Sequence, residues 1–389
     1  MSAQESAGRP ASVPLLDVAR GNAPLHTEFV AALENVLNSG RFVFGPEVFE
    51  LEKQIAEASH AKYGISCASG SDAILLALMA YEIGPGDEVI VPSFTFFATA
   101  SAVWRLGAKP VFADIDPVTF NIDPEAIAAA ITPNTKAIIP VHLFGQAADM
   151  TAINAIAAAH DLWVIEDACQ AILSEYDGQP VGSIGDVGCF SFYPTKNLGG
   201  MGDGGMLTTN DEELAAKLRL YRGHGMEPRY YHSVVGINSR LDTFQAATLL
   251  VKMEKLNEWT EMRRENAARY NELFRAAGMD ECIILPSESP EHKHAWNQYT
   301  VRVPQGRRDD LRKHLADHKI GSEVYYPVPL HQQVCFANMG PHASLVETEK
   351  AAKEVLSLPI FPELTAAEQR VVVESIEQFY VAVNKKAVA

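Results

Sequence analysis

The stretch CFSFYPTKNLGGMGDGG, residues 189–205, predicts a buried strand that runs into a turn containing one lysine and many glycines. Lysine is rarely placed beside buried strands without a functional reason. A partly desolvated amine at Lys196 would have a lowered pKa and could form a Schiff base. The glycines would let a bulky ring approach the backbone closely. The alternative is a solvated lysine in a flexible loop.

A second signal lies about 30 residues earlier, in LWVIEDACQA, residues 162–171. An apolar strand ends there in Glu166 and Asp167. In an α/β sheet, a carboxylate at the carboxyl end of a strand faces the crevice where ligands bind. A buried carboxylate needs a cationic partner, and a protonated pyridine nitrogen would serve. The alternative is that Asp167 caps a turn.

A third signal is ASGSDAILLAL, residues 68–78, where a β-run gives way to a helix. Gly70 permits a tight turn, and we expect the helix to start at about Ser71. The free N–H groups and the positive end of the helix dipole form an anion site at such a start. The alternative is an ordinary helix cap by Ser71 or Asp72.

The three signals are more specific together than any of them is alone. In chain order they supply an anion site, a carboxylate for a pyridinium nitrogen and an amine for an aldehyde. These groups are what pyridoxal 5′-phosphate (PLP) requires of a protein. The sequence therefore predicts a PLP enzyme in which Lys196 holds the cofactor as a Schiff base.

The rest of the chain predicts an α/β architecture around these signals. From about residue 62 to about residue 210, short apolar runs alternate with helix-like stretches, which favours a mostly parallel sheet buried on both faces. The runs are GISCAS, EVIVP, KPVFAD, KAIIPVHLF, LWVIED, GCFSF and GGMLTT.

A long helical pattern follows over residues 243–278 and connects to a different kind of sequence. Beyond it, the β-like runs QYTVRV and IGSEVYY and the helix-like DDLRKHLADHK and AAEQRVVVESIEQFYVAV predict a smaller α+β domain. We expect a disordered tail over residues 1–12, a large PLP-binding domain over residues 13–250, and a connecting helix with a small C-terminal domain over residues 251–389.

Composition argues against several other classes of protein. The net charge of -17 argues against a nucleic-acid surface, because phosphate binding needs concentrated Lys and Arg. Five scattered cysteines without a CxxC pair indicate neither a metal site nor a disulfide framework, and they predict a reducing cytoplasm. The small, polar first residues do not resemble a signal peptide. No apolar run reaches the roughly 18 residues that span a bilayer, so we expect no membrane partner.

With these residues in view, the chain resembles the DegT/DnrJ/EryC1/StrS family of PLP-dependent nucleotide-sugar aminotransferases from about Val13 to about Val383. The resemblance implies a fold-type I PLP aminotransferase, with a large domain built on a mixed, mostly parallel sheet and a smaller C-terminal α+β domain. The motifs that carry it are SGRFVFGPEVFELE, SGSDAILLAL, VPSFTFFATASA, KPVFADIDPVTFNID, PVHLFGQAADM, IEDACQA, GCFSFYPTKNLGGMGDGG, GINSRLDTFQAA and YYPVPLHQQ.

The resemblance also implies a role for each matching residue. Lys196 would be the Schiff-base lysine and proton shuttle, and Asp167 would pair with the pyridinium nitrogen. Phe96 would stack on the ring and Asn238 would reach the phosphate from a neighbouring subunit, although these two could instead be a core aromatic and a turn residue. The remaining cofactor contacts would be Gln170 on the hydroxyl side of the ring, and Gly70, Ser71 and Ser191 at the phosphate.

The implied substrates are a nucleotide-linked ketosugar and an amino donor, commonly glutamate in this family. Residues 224–242 resemble the subgroup that aminates C3 of UDP-linked 3-keto uronic sugars, through the pattern of Arg229, Tyr230 and His232. Arg240 would suit a carboxylate by bidentate pairing. Arg229 could instead be a solvated loop residue. The substrate-binding residues that the resemblance implies are Arg229, Arg240, Tyr326 and His331.

The resemblance further implies a homodimer in which each active site takes residues from both chains. Two other functions remain open on the same scaffold. One is a PLP-dependent sugar dehydratase or lyase, although the family members that dehydrate carry histidine in place of the lysine. The other is a non-catalytic regulatory protein, against which the intact Lys196, Asp167 and Gln170 argue. The product, an amino sugar or a deoxy sugar, would separate the two enzymatic alternatives.

Overall fold

The structure is a computed structural model that describes residues 10–289, 292–340 and 343–388. The disordered tail that we expected over residues 1–12 lies outside the described residues for its first nine positions. Val13 is fully buried and forms a parallel bridge with Ile320. The chain is therefore already packed against a distant segment at this point.

Helices and strands alternate over the first half of the chain. The strands are β1 Tyr63–Cys67, β2 Glu88–Pro92, β3 Lys109–Ala113, β4 Thr135–Ile138, β5 Trp163–Asp167, β6 Glu175–Tyr176, β7 Gln179–Pro180, β8 Val187–Ser191, β9 Gly205–Thr209, β10 His292–Lys293, β11 Tyr299–Arg302 and β12 Val355–Leu358. The α-helices are α1 Val18–Asn22, α2 His26–Ser39, α3 Pro46–Ala58, α4 Gly70–Ala80, α5 Ala98–Arg105, α6 Pro124–Ala130, α7 Met150–His160, α8 Glu212–Arg222, α9 Thr243–Ala276, α10 Arg308–Asp317, α11 Val346–Glu354 and α12 Ala366–Val388.

Seven strands form one large sheet in the order β1–β9–β8–β5–β4–β2–β3. The pairs β2/β3, β2/β4, β4/β5 and β5/β8 are parallel, whereas β8/β9 and β1/β9 are antiparallel. Each of the seven apolar runs supplies one of these strands. The α/β fold with a mixed, mostly parallel sheet is confirmed.

Alternate residues of the strands pack on opposite faces of the sheet. In β2, Val89 and Val91 join a cluster with α4, α5 and α8, whereas Ile90 joins a cluster with α6 and α7. A third cluster joins β8 and β9 to α3 and α9. Burial on both faces explains why these strands have continuous apolar sequences.

Helix α9 begins after Asp242, whose side chain accepts a hydrogen bond from the backbone N–H of Gln245. It runs for 34 residues, and at 1.5 Å per residue it is about 51 Å long. The long helix expected after the sheet is confirmed. The boundary expected after residue 250 falls inside this continuous helix, so the division into domains stays a prediction.

Beyond α9, strands β11 and β12 pair antiparallel and pack in one apolar cluster with α10 and α12. QYTVRV forms β11, as expected. IGSEVYY forms no strand and contributes two isolated bridges, Ile320 with Val13 and Glu323 with Ser357. The expectation of a β-run there was wrong, because the segment pairs with the second edge of β12 at one residue only.

Within the described ranges, no helix has the length and apolar character needed to cross a membrane. No group of three or more His, Cys, Asp and Glu residues is placed there to hold a metal ion.

Candidate active site

The carboxyl ends of β1, β2, β5 and β8 lie at one edge of the large sheet, because these strands run in the same direction. Gly70 follows β1 and Phe96 follows β2, while Asp167 ends β5 and Ser191 ends β8. Open α/β sheets bind ligands at this edge. The fold therefore collects residues from four distant parts of the chain at the position of a ligand site.

Asp167 is a buried carboxylate with two neutral hydrogen-bond donors. It is 5% exposed. The Thr99 hydroxyl donates to Oδ2 at 2.8 Å, and the backbone N–H of Cys169 donates to Oδ1 at 3.3 Å. Within the described part of the chain, no cationic side chain forms an ion pair with it. A protonated ring nitrogen would supply the cationic partner that a buried carboxylate needs.

Gln170 links the end of β5 to the C-terminal part of the chain. Its Oε1 accepts a hydrogen bond from the backbone N–H of Phe144 at 2.7 Å, and its Nε2 donates to the Tyr326 hydroxyl at 3.3 Å. The Tyr326 ring centroid lies 6.3 Å from that of Phe96. Phe96 is 57% exposed, so it is not a core aromatic. An exposed aromatic ring therefore stands beside the Gln170–Tyr326 pair.

The backbone of Gly70 packs directly against the end of β8. A Cβ at this position would lie 2.6 Å from the Ser191 Cβ and 2.8 Å from the Cys169 Sγ. Both distances are below any ordinary contact, so a larger residue would force the start of α4 away from the sheet. Glycine at position 70 brings the helix start close to Ser191.

Helix α4 begins at Gly70, one residue before the position that we expected. Its cap is Ser69, whose hydroxyl oxygen accepts a hydrogen bond from the backbone N–H of Asp72 at 3.1 Å. Neither Ser71 nor Asp72 is therefore the cap. In the portion that the structure describes, the backbone N–H groups of Gly70 and Ser71 have no protein acceptor. They remain available to an anion at the positive end of the helix dipole.

Lys196 lies in the turn that follows β8, where its backbone N–H donates to the carbonyl of Tyr193 at 2.8 Å. Burial lowers the pKa of the Lys196 amine, while the nearby Cys169 and Asp167 act in the opposite direction. Both of these residues belong to the end of β5 or follow it directly. A lysine with a lowered pKa more readily provides the neutral amine that attacks an aldehyde.

Three thiols close to this site are poor competitors for the role of nucleophile. Burial raises the pKa of Cys67, Cys169 and Cys189, so each stays protonated at neutral pH. The thiolate is the reactive form of cysteine. The chemistry that the site offers is therefore that of the Lys196 amine.

Asn238 lies close to this group in the same chain, with an exposed side chain. It pairs with Gly223 in an antiparallel bridge and is therefore not a simple turn residue. The neighbouring Ser239 donates its hydroxyl to Asp72 Oδ2 at 2.7 Å and accepts a hydrogen bond from the N–H of Ala68 at 3.1 Å. These bonds fix the Asn238 segment against the start of α4.

The expected substrate-binding residues are more scattered. Tyr326 belongs to the group through Gln170. Arg229 lies in an exposed loop, with its guanidinium carbon 4.9 Å from the Tyr230 ring centroid. Arg240 is half-buried. No hydrogen bond or ion pair among the described residues joins either arginine to the group around Lys196.

His331 is turned toward the end of β2. Its Nδ1 is 2.7 Å from the Ser93 Oγ, its backbone N–H donates to the same oxygen at 3.2 Å, and its Nε2 is 3.4 Å from Glu349 Oε1. Its side chain is 9% exposed. The imidazole thus joins the C-terminal part of the chain to Ser93, which lies in the connection between β2 and α5.

Sequence reasoning missed two residues that the site uses. Thr99 donates to Asp167 from 68 residues away. It stands in the motif VPSFTFFATASA, but no local pattern points to its partner. Cys169 lies between Asp167 and Gln170 and contacts the Gly70 position. Its place two residues after a strand-end carboxylate was the available signal.

A mostly parallel α/β sheet with a buried carboxylate, a desolvated lysine and a helix start at the carboxyl ends of its strands defines a PLP enzyme of fold-type I. Its donor set suits the cofactor at three points: an amine for the aldehyde, a carboxylate for the ring nitrogen and free N–H groups for the phosphate. The sequence profile of the DegT/DnrJ/EryC1/StrS aminotransferase family matches residues 24–377. The chain belongs to this family and is a PLP-dependent aminotransferase.

Three relatives illustrate the range of the family. A pleiotropic regulatory protein of Geobacillus stearothermophilus is 54% identical over 95% of this chain and 99% of its own. The UDP-N-acetyl-3-dehydro-alpha-D-glucosamine 3-aminotransferase of Acidithiobacillus ferrooxidans is 46% identical over 91% and 94%. The UDP-2-acetamido-2-deoxy-3-oxo-D-glucuronate aminotransferase of Pseudomonas aeruginosa is 44% identical over 92% and 98%.

Solved structures agree with this assignment. S. venezuelae DesV, in complex with a ketimine intermediate, superposes with a TM-score of 0.91 at 40% identity over 95% of this chain and 98% of its own. NtdA from Bacillus subtilis, with bound cofactor PMP, superposes with a TM-score of 0.90 at 37% identity over 96% and 86%. The fold-type I assignment is confirmed.

Proposed function

We propose that the protein transfers an amino group from glutamate to C3 of a UDP-linked 3-keto sugar. The observation that carries this proposal is the buried Asp167 carboxylate, which has only neutral hydrogen-bond donors, at the sheet edge where α4 begins and where β8 leads into the Lys196 turn. The UDP-linked 3-keto substrate is supported by two relatives: one is named a 3-aminotransferase of a UDP-linked 3-dehydro sugar, at 46% identity, and the other an aminotransferase of a UDP-linked 3-oxo sugar, at 44% identity. Nearly the whole chain takes part in both likenesses.

In this proposal Lys196 holds the cofactor and moves protons. When bound, PLP supplies an electron sink for the negative charge that develops at the α-carbon of the amino acid. The Lys196 Nζ takes the proton from that α-carbon. In the second half-reaction, it delivers a proton to the sugar carbon that becomes aminated. An amine tethered beside the reacting carbon gains from proximity in both transfers.

Asp167 sets the electronics of the site. Its negative charge favours the protonated form of a ring nitrogen beside it. The hydrogen bonds from Thr99 and from the N–H of Cys169 hold the carboxylate in one orientation. Asp167 therefore maintains the electron sink without exchanging a proton with the substrate.

The remaining cofactor contacts follow from the geometry. The N–H groups of Gly70 and Ser71, together with the Ser191 hydroxyl, would bind the phosphate. Phe96 would stack on the ring, since its own ring is exposed beside Tyr326. Gln170 would lie at the hydroxyl side of the ring, where its orientation is fixed by Phe144.

Assembly completes the proposal. We infer a two-fold homodimer in which Asn238 reaches the phosphate bound by the other subunit. Support comes from the exposure of its side chain, which leaves it open to contact with a second chain. Mixed dimers of a Lys196→Ala chain and an Asn238→Ala chain would contain one site with both residues intact. Activity restored by mixing supports the shared site, and inactive heterodimers contradict it.

The sugar is proposed to be either the 3-keto uronic acid or its C6-hydroxymethyl counterpart. Arg229 and Arg240 are candidates for a carboxylate on the sugar or on glutamate, and Tyr326 and His331 are the further candidates for substrate contact. His331 would act on the sugar through its neighbours, since its ring faces Ser93 and Glu349. A carboxylate at C6 is the group that distinguishes the two sugars.

A coupled assay tests the reaction. The holoenzyme is given glutamate with each UDP-linked 3-keto sugar, and 2-oxoglutarate release and the mass of the aminated sugar are measured together. We expect equal amounts of both products, with Lys196→Ala inactive. Loss of water from the sugar without amine transfer would instead establish the dehydratase alternative. No turnover with any nucleotide ketosugar would overturn the proposal.

A regulatory role is a second candidate, because one relative at 54% identity is named a pleiotropic regulatory protein. The structure retains the amine, the carboxylate and the helix start that catalysis requires. Replacing Lys196 by Ala separates the two functions, since a regulatory effect independent of catalysis would survive the substitution. An effect that disappears with Lys196 would be a consequence of the reaction.

A further inference from the structure

Lys252, on helix α9, is a buried lysine without an obvious electrostatic partner. It is 3% exposed. Its Nζ donates a hydrogen bond of 2.6 Å to the carbonyl of Gly199, and it lies 5.9 Å from the Phe29 ring centroid. In the described ranges, no carboxylate lies within ion-pair distance of it. A buried ammonium group is costly to desolvate, which points to a specific task for the Gly199 bond.

Gly199 closes the turn that carries Lys196. A Cβ at Gly199 would lie 2.3 Å from the carbonyl oxygen of Pro194, so the two backbones are in direct contact. The next residue, Gly200, donates its N–H to the carbonyl of Phe192 at 2.8 Å. The backbone from residue 192 to residue 200 therefore forms a closed loop, and Lys252 is hydrogen-bonded to it at the Gly199 carbonyl.

The opposite side of the turn is also held. The side chain of Asn197 donates to the carbonyl of Ala295 at 2.8 Å and accepts a hydrogen bond from the Asn297 amide at 3.0 Å. Arg263, also on α9, donates to the carbonyl of Trp296 at 3.0 Å. Two buried cations of one helix thus support the turn, Lys252 directly and Arg263 through the segment that binds Asn197.

We propose that Lys252 is a positioning residue for Lys196: by holding the Gly199 carbonyl against α9, it fixes the turn from which the Lys196 amine reaches the end of β5. This proposal rests on the role proposed for Lys196. A charged donor suits the task, because charge-assisted hydrogen bonds are shorter and stronger than neutral ones. An apolar side chain would leave the Gly199 carbonyl buried and unpaired.

The test uses hydrogen exchange in the full-length enzyme without PLP, followed by the rate at which added PLP is incorporated. The reporters are the backbone N–H groups of Lys196, Gly200 and Met201, each of which donates a hydrogen bond within or beside the turn. Lys252→Met removes the donor. Lys252→Gln keeps an N–H donor without the charge. Lys255→Met is the matched control, because Lys255 lies three residues further along α9, half exposed and paired with Glu258.

We expect Lys252→Met to speed exchange of these amides about tenfold or more, relative to amides elsewhere in the sheet, and to slow PLP incorporation. Lys252→Gln should fall between Met and wild type, and Lys255→Met should match wild type. Unchanged exchange in the Met variant overturns the proposal, as does a uniform increase throughout the protein, which would make Lys252 merely structural. If Met prevents folding, the Gln variant is judged by the same criterion.

The exchange measurement is independent of which lysine carries the cofactor. If amide exchange in the turn is faster in Lys252→Met but PLP attaches to another lysine, the role proposed for Lys196 is wrong. The conclusion that Lys252 holds the turn in place would still stand. Should Lys196 carry the cofactor while exchange stays unchanged, the proposed function stands and the inference about Lys252 is wrong.

Discussion

Replacing Gly70 by alanine should weaken PLP binding, for a reason that can be read from the packing. The new Cβ would lie 2.6 Å from the Ser191 Cβ and 2.8 Å from the Cys169 Sγ. Carbon atoms prefer separations of about 3.5–4.0 Å. The start of α4 must therefore move away from β8 by roughly 1 Å.

The size of the effect follows from this displacement. Overpacking of a well-packed site costs about 1–3 kcal/mol. The shift also separates the N–H groups of Gly70 and Ser71 from the Ser191 hydroxyl, so the same phosphate can no longer meet all three at good geometry. If the loss falls on the bound state, the Kd for PLP rises about ten- to a hundredfold, since 1.4 kcal/mol is a factor of ten.

The assay is a titration of the cofactor-free variant with PLP, followed by absorbance, with urea unfolding of the same protein in parallel. Gly84→Ala is the matched control, because its nearest non-neighbouring atom would be 4.0 Å from the added Cβ. Wild-type affinity in a Gly70→Ala protein of unchanged stability would refute the reasoning about the helix start.

Three further outcomes are expected. Thr99→Val removes the 2.8 Å hydrogen bond to Asp167. Because a hydrogen bond to a charged group is worth about 1.5–3 kcal/mol, the steady-state kcat should fall about ten- to a hundredfold, whereas Thr99→Ser should stay close to wild type. His142→Phe removes the imidazole that lies 2.9 Å from the fully buried Glu166, and because a hydrogen bond to a charged group is worth about 1.5–3 kcal/mol, urea unfolding should show a loss of that size. Burial lowers the pKa of Lys252 from 10.5 to about 8, so the free-energy cost of burying its charge is full below pH 8 and disappears as the pH rises to about 10.5. Across that window, the unfolding free energy of the wild type should rise by about 3 kcal/mol relative to that of Lys252→Met. A difference between the two proteins that does not change with pH would contradict this prediction.

The large sheet could be predicted because its strands are short, apolar and regularly separated by helical stretches. Those local patterns also located Asp167 at the end of β5 and Lys196 in the turn after β8. The start of α4 was misplaced by one residue. We considered Ser71 and Asp72 as caps, whereas the helix is capped by Ser69, which precedes both. The local sequence thus predicts that a helix forms here, whereas its first residue depends on which side-chain hydroxyl accepts the hydrogen bond from a free backbone N–H at the helix start.

What could not be predicted depends on contacts between distant parts of the chain. The hydrogen bond from Lys252 to Gly199 spans 53 residues, and neither residue stands out in its own segment. The contact of the His331 ring with Ser93 spans 238 residues and likewise has no signal in either segment. The segment IGSEVYY looked like a strand on composition, but it pairs with β12 only through Glu323 and Ser357. Tertiary pairing decides such cases.

The most direct test of the central claim is reduction of the holoenzyme with borohydride, followed by digestion and mass spectrometry. The reduced protein should carry one pyridoxyl group on the peptide that contains Lys196. Lys196→Ala should remain folded, carry no label and show no turnover. Label on a different lysine, with Lys252 as the nearest rival because burial also lowers its pKa, would contradict the account.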